Sequence, residues 1–143
     1  MTARILVAAD DETIIRLLTI TLRNEGYELI IARNGRDALN MTNQEQPDMA
    51  ILDVMMPEMT GFEVCAQLKA DPRTAMIPVI FVTALADVAD EVRGFALGAV
   101  DYITKPVSPP IVKARVSTHL SLVRVEELLQ SRLQIVQRLG LAA

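Results

Sequence analysis

The chain has 143 residues, half of them hydrophobic, which allows one domain with a sizeable core. Its 14 basic and 18 acidic residues leave a formal net charge of −4, which argues against non-specific nucleic-acid binding, a property that needs a basic face. The lone cysteine, Cys65, excludes an internal disulfide; no apolar run approaches the roughly 20 residues of a membrane span, and MTARILV lacks the parts of a signal peptide, so a cytoplasmic protein with neither membrane nor direct nucleic-acid partner is expected.

RILVAA (4–9) reads as a first strand. Ile14, Leu17, Leu18 and Leu22 then follow helical spacing, and Gly26 can cap that helix. YELIIA (27–32) is a second strand, and Ala38 and Met41 mark a second helix. MAILD (49–53) is a third strand, followed by helix marks at Phe62, Cys65 and Leu68. PVIFVT (78–83) precedes a fourth helix marked by Val88, Val92, Phe95 and Ala96 and closed by Gly98. DYIT (101–104) is the fifth strand, and Pro109 and Pro110 stand where a fifth helix starts, which suits proline's fixed backbone. Continuous apolar runs are expected of parallel strands covered on both faces. The order predicts an α/β fold, a (βα)5 doubly wound parallel five-stranded sheet of flavodoxin-like type.

The fifth helix has no evident end. From Ile111 no breaker appears before Gly140. Leu122, Val125, Leu129, Val136 and Leu139 keep a 3-and-4 spacing, interrupted by Arg132. We expect a domain over 1–121 and an extended helix or linker over 122–143, either a coiled coil leading to an output domain or a solvated helix packed on its own domain. Cys65 lies on an apolar helical face and reads as a buried, inert thiol. His119 has no partner at metal-ligand spacing and reads as a helix-surface residue, and Met56 and Met59 read as loop packing.

In open parallel sheets, ligands bind at the carboxyl ends of the strands. Asp10 and Asp11 follow strand one, Asp53 ends strand three, Thr83 ends strand four and Lys105 follows strand five. Each has a bland reading: Asp in DDET is good capping sequence, Glu12 favours the helix N-terminus, a strand-end Thr is ordinary and Lys-Pro is often a turn. Together on one edge they imply more. Three carboxylates brought close repel unless a cation joins them, and Mg²⁺ is the economical hard ion, with Lys105 a second positive charge.

ADDE after strand one, LDVMMPEMTG around Asp53, VTA after strand four and GAVDYITKP around strand five, in that order, resemble the receiver domain of two-component response regulators over about residues 4 to 120. Val100 replaces an acidic residue common in that family and lies outside the site. The resemblance implies that Asp53 accepts a phosphoryl group from a histidine kinase phosphohistidine. It also implies Mg²⁺ held by Asp11 directly, by Asp10 through water, by Asp53 and by the Met55 backbone carbonyl. Lys105 would offset charge on the phosphoryl group, Thr83 would hydrogen-bond it, and Ala84 would leave access. The Lys105–Pro106 bond resembles one that is cis in the family. A Thr83–Tyr102 switch would then remodel the fourth helix, fifth strand and fifth helix. Met55 and Leu85 stand where that family borders the path of attacking water, and both being apolar implies slow self-dephosphorylation, hours rather than seconds.

The implied partners are a sensor histidine kinase or phosphotransfer protein, a second copy forming a homodimer through the fourth helix, fifth strand and fifth helix or through the tail, and a covalent output domain. The final QIVQRLGLAA is similar to the entry into an HD-GYP cyclic di-GMP phosphodiesterase domain. The chain itself reads as a signalling module with self-phosphorylation and slow self-dephosphorylation, and not as an enzyme with an external substrate. Two alternatives are a receiver-like interaction module that is never phosphorylated and an aspartate-nucleophile phosphatase, although the latter wants a second acid at the position of Met55. A flavodoxin-like FMN binder would need a polar, uncharged phosphate loop where ADDET stands.

Overall fold

The computed structural model describes residues 2–84 and 88–140. In chain order it comprises β1 (Arg4–Ala8), α1 (Glu12–Asn24), β2 (Glu28–Ala32), α2 (Gly35–Glu45), β3 (Met49–Asp53), α3 (Gly61–Ala70), β4 (Val79–Thr83), α4 (Val88–Ala96), β5 (Asp101–Thr104) and α5 (Pro109–Arg138). All strand pairs are parallel, in the order β2-β1-β3-β4-β5. The chain therefore leaves β1 toward one edge, returns through β3, and continues toward the other. The carboxyl ends of β1 and β3 meet at that reversal, where a crevice forms in such sheets.

Strand parity sorts the core into two layers. Ile5, Val7, Met49, Ile51, Ile80 and Val82 face α1 and α5, packing on Ile14, Leu18, Leu22, Val112, Val116 and Leu120. Leu6, Ala8, Ala50, Leu52, Val79 and Phe81 face the other way, onto Ala38, Phe62, Cys65 and Leu68. β3 and β4 are buried throughout because both faces are covered, which is why their sequences show no alternation. Cys65 is fully buried, and burial pushes its thiol up, in keeping with an inert core residue. Met56 is buried and Met59 partly so, as loop packing.

The helix ends follow local chemistry. Asn34 and Thr60 accept hydrogen bonds from the third residue beyond, capping α2 and α3. Gly26 and Gly98 end α1 and α4 with φ of 90° and 103°, a conformation that penalises side chains.

The fourth helix forms where its spacing predicts, but its marks do not face the core. Val88 and Val92 are 67% and 63% exposed, and Phe95 is exposed as well. α4 meets the sheet through Gly94, its one residue described as buried. A Cβ there would come within 2.8 Å of the Phe81 ring. Close approach on the glycine side turns the apolar side chains outward.

α5 also exceeds what its packing needs. It buries Val112, Val116 and Leu120, and Val123 is half-buried. Leu122, Val125, Leu128, Leu129, Leu133, Ile135 and Leu139 are exposed. Among the described residues no helix is long and apolar enough to cross a membrane.

The contact pattern predicts unequal effects along α5. A chain ending at Arg124 should keep its unfolding free energy in urea to within about 0.5 kcal/mol. Leu120→Ala should lose about 2–5 kcal/mol by opening a cavity. A large loss on truncation would mean that the exposed turns support the domain.

Candidate functional site

The carboxyl edge of the sheet is built from strand ends. Just past β1 the Ala9 N–H donates to the Ala32 carbonyl at 3.1 Å, and the chain then turns into Asp10 and Asp11. Both are exposed. Asp11 is the N-cap of α1: its Oδ1 accepts from the Thr13 N–H at 2.8 Å. Capping thus uses one of its oxygens and leaves the other. Glu12 occupies the first turn of α1 and pairs with Arg33 at 2.6 Å, which holds its carboxyl below the usual range. It takes no part in the edge.

Asp53 is the group on which the edge converges. It is 1% exposed, and β3 delivers it beside β4, in register with Val82. Its Oδ1 accepts from the Met55 N–H at 3.1 Å and lies 3.2 Å from Lys105 Nζ. Its Oδ2 is buried and has no hydrogen-bond partner among the described residues. Burial pushes the carboxyl pKa up, Lys105 opposes that shift, and the charge of Asp10 adds to it. Gly61 is the neighbour that sequence reading did not single out. A Cβ on it would collide with the Asp53 carbonyl, and its own N–H donates to Val54 O at 3.0 Å. The available signal was glycine directly after the N-cap Thr60.

Thr83 is buried, and its Oγ1 likewise has no partner among the described residues. Its carbonyl accepts from the Lys105 N–H at 2.8 Å, so β4 anchors the base of the lysine that reaches Asp53. The Lys105–Pro106 bond is cis. Met55 is 70% exposed at the mouth of the site and Ala84 is exposed, whereas Leu85 lies outside the described residues.

Tyr102 stands one strand away, over a cleft beneath α4 lined by Phe81, Thr83, Gly94 and Phe95. Its ring meets Phe95 edge-on at 5.8 Å, and the Arg115 guanidinium lies 5.9 Å from its centroid. The negative charge of Glu91 pushes the phenol up. His119 differs from the expected surface residue. It is half-buried, with Nε2 3.0 Å from Asp101 Oδ2, and Arg115 Nη1 is 3.1 Å from both Asp101 oxygens. Burial acts to raise Asp101, but the bonds from His119, Tyr102 N–H and Arg115 outweigh it and hold the carboxyl low. Residues 14 and 18 positions apart in sequence gave no local signal of this cluster.

Among the described residues no group of three or more His, Cys, Asp or Glu side chains is arranged as a ready metal cage. The donor set nevertheless fits a hard cation that keeps most of its water. Asp10 and Asp11 are exposed carboxylates, and Asp53 Oδ2 is a buried oxygen with no partner among the described residues.

The raised pKa of Asp53 has a sign that can be checked. The native state holds this proton to higher pH than the unfolded chain does, so stability falls as pH rises between the ordinary carboxylate range and the raised native value. Asp53→Asn should therefore raise the urea midpoint at neutral pH, and the gain should shrink as pH falls into the carboxylate range. A lower midpoint at neutral pH would show that the Lys105 pairing outweighs desolvation.

Comparisons with known proteins give the family and the fold. The family model described as the response regulator receiver domain matches residues 5–117. Response regulator PleD of Caulobacter vibrioides is 43% identical over 143 residues, covering 100% of this chain and 32% of that protein. A Vibrio cholerae protein named "Probable cyclic di-GMP phosphodiesterase" is 48% identical over 103 residues, 72% of this chain and 23% of its own length. The chain thus spans a third or less of these two relatives. The solved signal receiver domain of a signal transduction histidine kinase from Syntrophus aciditrophicus superposes with a TM-score of 0.77 at 39% identity, covering 84% of this chain and 91% of that one. With its parallel five-stranded sheet and a buried aspartate at the end of β3, the chain belongs to the response regulator receiver domain family of two-component signalling.

Proposed function

We propose that Asp53 takes a phosphoryl group from the phosphohistidine of a sensor kinase or phosphotransfer protein. The observation that carries this reading is the pairing at Asp53: one oxygen is held by Lys105 and the Met55 N–H, while Oδ2 has no partner among the described residues. Oδ2 attacks phosphorus, the N–P bond breaks, and the imidazole keeps the electron pair. Lys105 offsets charge gathering on the phosphoryl oxygens, and the Thr83 hydroxyl, without a partner among the described residues, donates to one of them. Asp10, Asp11, Asp53 and the Met55 carbonyl would hold Mg²⁺, which when bound neutralises charge between the carboxylates and the phosphoryl group.

The relay runs from Thr83 to Tyr102. Thr83 drawn toward the phosphoryl group opens the cleft beneath α4, and Tyr102, leaving Phe95 and Arg115, turns into it. That changes the exposed face of α4, β5 and α5, where Val88, Val92, Phe95 and Ile111 are exposed. α5 continues as one helix into the apolar stripe at Leu122, Val125 and Leu129. The domain over 1–121 thereby couples to a homodimer and, through 122–143, to an output domain. A cyclic di-GMP phosphodiesterase output is supported by the tail's likeness to an HD-GYP entry and by the Vibrio cholerae relative's name.

Intact mass after incubation with acetyl phosphate and Mg²⁺ tests the acceptor. One added phosphoryl group is expected, lost without Mg²⁺ and lost in Asp53→Asn. No adduct on a folded domain that binds Mg²⁺ would favour an interaction module instead. Phosphorylation should also change sedimentation, and an unchanged oligomeric state would remove the dimer relay.

Met55 offers no polar atom to orient water against the acyl phosphate, so self-dephosphorylation should take hours. Met55→Asn should speed it by on the order of tenfold, less than full general-base help. An unchanged rate would assign Met55 to packing.

A further inference from the structure

The loop that joins Asp53 to α3 is held from two sides. Gly61 sits against Asp53 itself. On the other side is Gly35, the first residue of α2, which is buried. It is not among the glycines with positive φ, so the position does not require glycine for its backbone. It requires glycine for space. A Cβ at Gly35 would lie 2.7 Å from Met59 Cβ, 2.8 Å from the Met59 carbonyl oxygen and 3.0 Å from Met59 Cγ.

Met59 has little freedom to retreat. Its side chain packs against the core between the sheet and α2–α3. Its N–H donates to Pro57 O at 2.7 Å, closing a tight turn, and Glu58 within that turn has φ of 68°. Strain of this kind persists only where surroundings enforce it. Four residues upstream, the Met55 N–H grips Asp53 Oδ1. Displacement at Met59 is therefore passed to the Met55 peptide along a four-residue loop closed by the Pro57–Met59 turn and by the Gly61 N–H on the Val54 carbonyl.

We propose that Gly35 is a positioning residue for the Asp53 site. The start of α2 acts as a stop against Met59, and that stop sets where the Met55 main chain stands relative to Asp53, Asp10 and Asp11. The inference rests on the reading that the Met55 carbonyl is a Mg²⁺ ligand. Alanine is a better helix former than glycine, so at this position helix propensity and loop crowding act in opposite directions. A purely structural glycine would show its effect in stability. A positioning glycine shows it in cation affinity.

The test is an amide NMR titration with Mg²⁺ alone, without phosphodonor, beside acetyl phosphate labelling at varied Mg²⁺. Gly35→Ala should raise the half-saturating Mg²⁺ at least about fivefold, somewhat less than the direct outer-shell supports of a metal ligand contribute, with the resonances of β1 and β3 in place. Labelling should be slow at low Mg²⁺ and recover at high Mg²⁺. Arg36→Ala, exposed on the same turn, should match wild type. Met59→Ala loosens the same contact from the loop side and should shift affinity in the same direction, which covers the case in which Gly35→Ala does not fold. A folded Gly35→Ala with wild-type Mg²⁺ affinity overturns the inference, as does an unfolded one joined by a Met59→Ala of wild-type affinity. A wild-type domain that takes neither Mg²⁺ nor a phosphoryl group overturns the reading of the site itself, and the positioning role with it.

Discussion

A carboxylate withdrawn from water at the end of β3 is the constraint around which this domain is arranged. Asp53 is almost wholly buried, and burial outweighs the lysine beside it, so its pKa is raised despite a 3.2 Å contact to Lys105. A scaffold with no use for that group would lose nothing by placing an apolar side chain there. Groups perturbed by burial and one specific partner are the kind that concentrate at functional sites. The surroundings of Asp53 fit that view: the Met55 amide and Lys105 serve one oxygen, Gly61 clears space behind its carbonyl, and the second oxygen has no partner among the described residues.

The sheet order makes this arrangement possible. Reversal of direction between β1 and β3 leaves their carboxyl ends adjacent, so the two aspartates after β1 reach the same edge as Asp53. β4 and β5 then add Thr83 and Lys105, joined by one backbone hydrogen bond. The two core layers contribute rigidity: β3 and β4 are covered on both faces and have no solvent side on which to slip.

The surfaces away from that edge look different. α4 is held to the sheet by a glycine and presents its apolar side chains outward, and α5 carries its stripe past the last buried contact. A helix with so few buried residues is an element of low local stability. Tyr102 bridges these regions, touching Phe95 of α4 and Arg115 of α5.

The sequence by itself determined the order of elements and the chemistry of the edge. Unbroken apolar runs such as MAILD and VIFVT can be satisfied only as covered strands, and Gly26, Gly98 and the proline pair punctuate the helices between them. Polar residues at strand ends then fall on one edge of a parallel sheet by topology alone, which is why Asp10, Asp11, Asp53, Thr83 and Lys105 were legible together. Only the tertiary structure decided which way α4 faces, because the deciding contact is Gly94 on Phe81 and a period cannot report a close approach. It decided that His119 is tied to Asp101 and not left on the surface, since that bond spans 18 positions. It decided that Asp53 keeps one oxygen without a partner among the described residues, because local pattern records residue types while hydrogen-bond satisfaction depends on what the rest of the chain brings alongside.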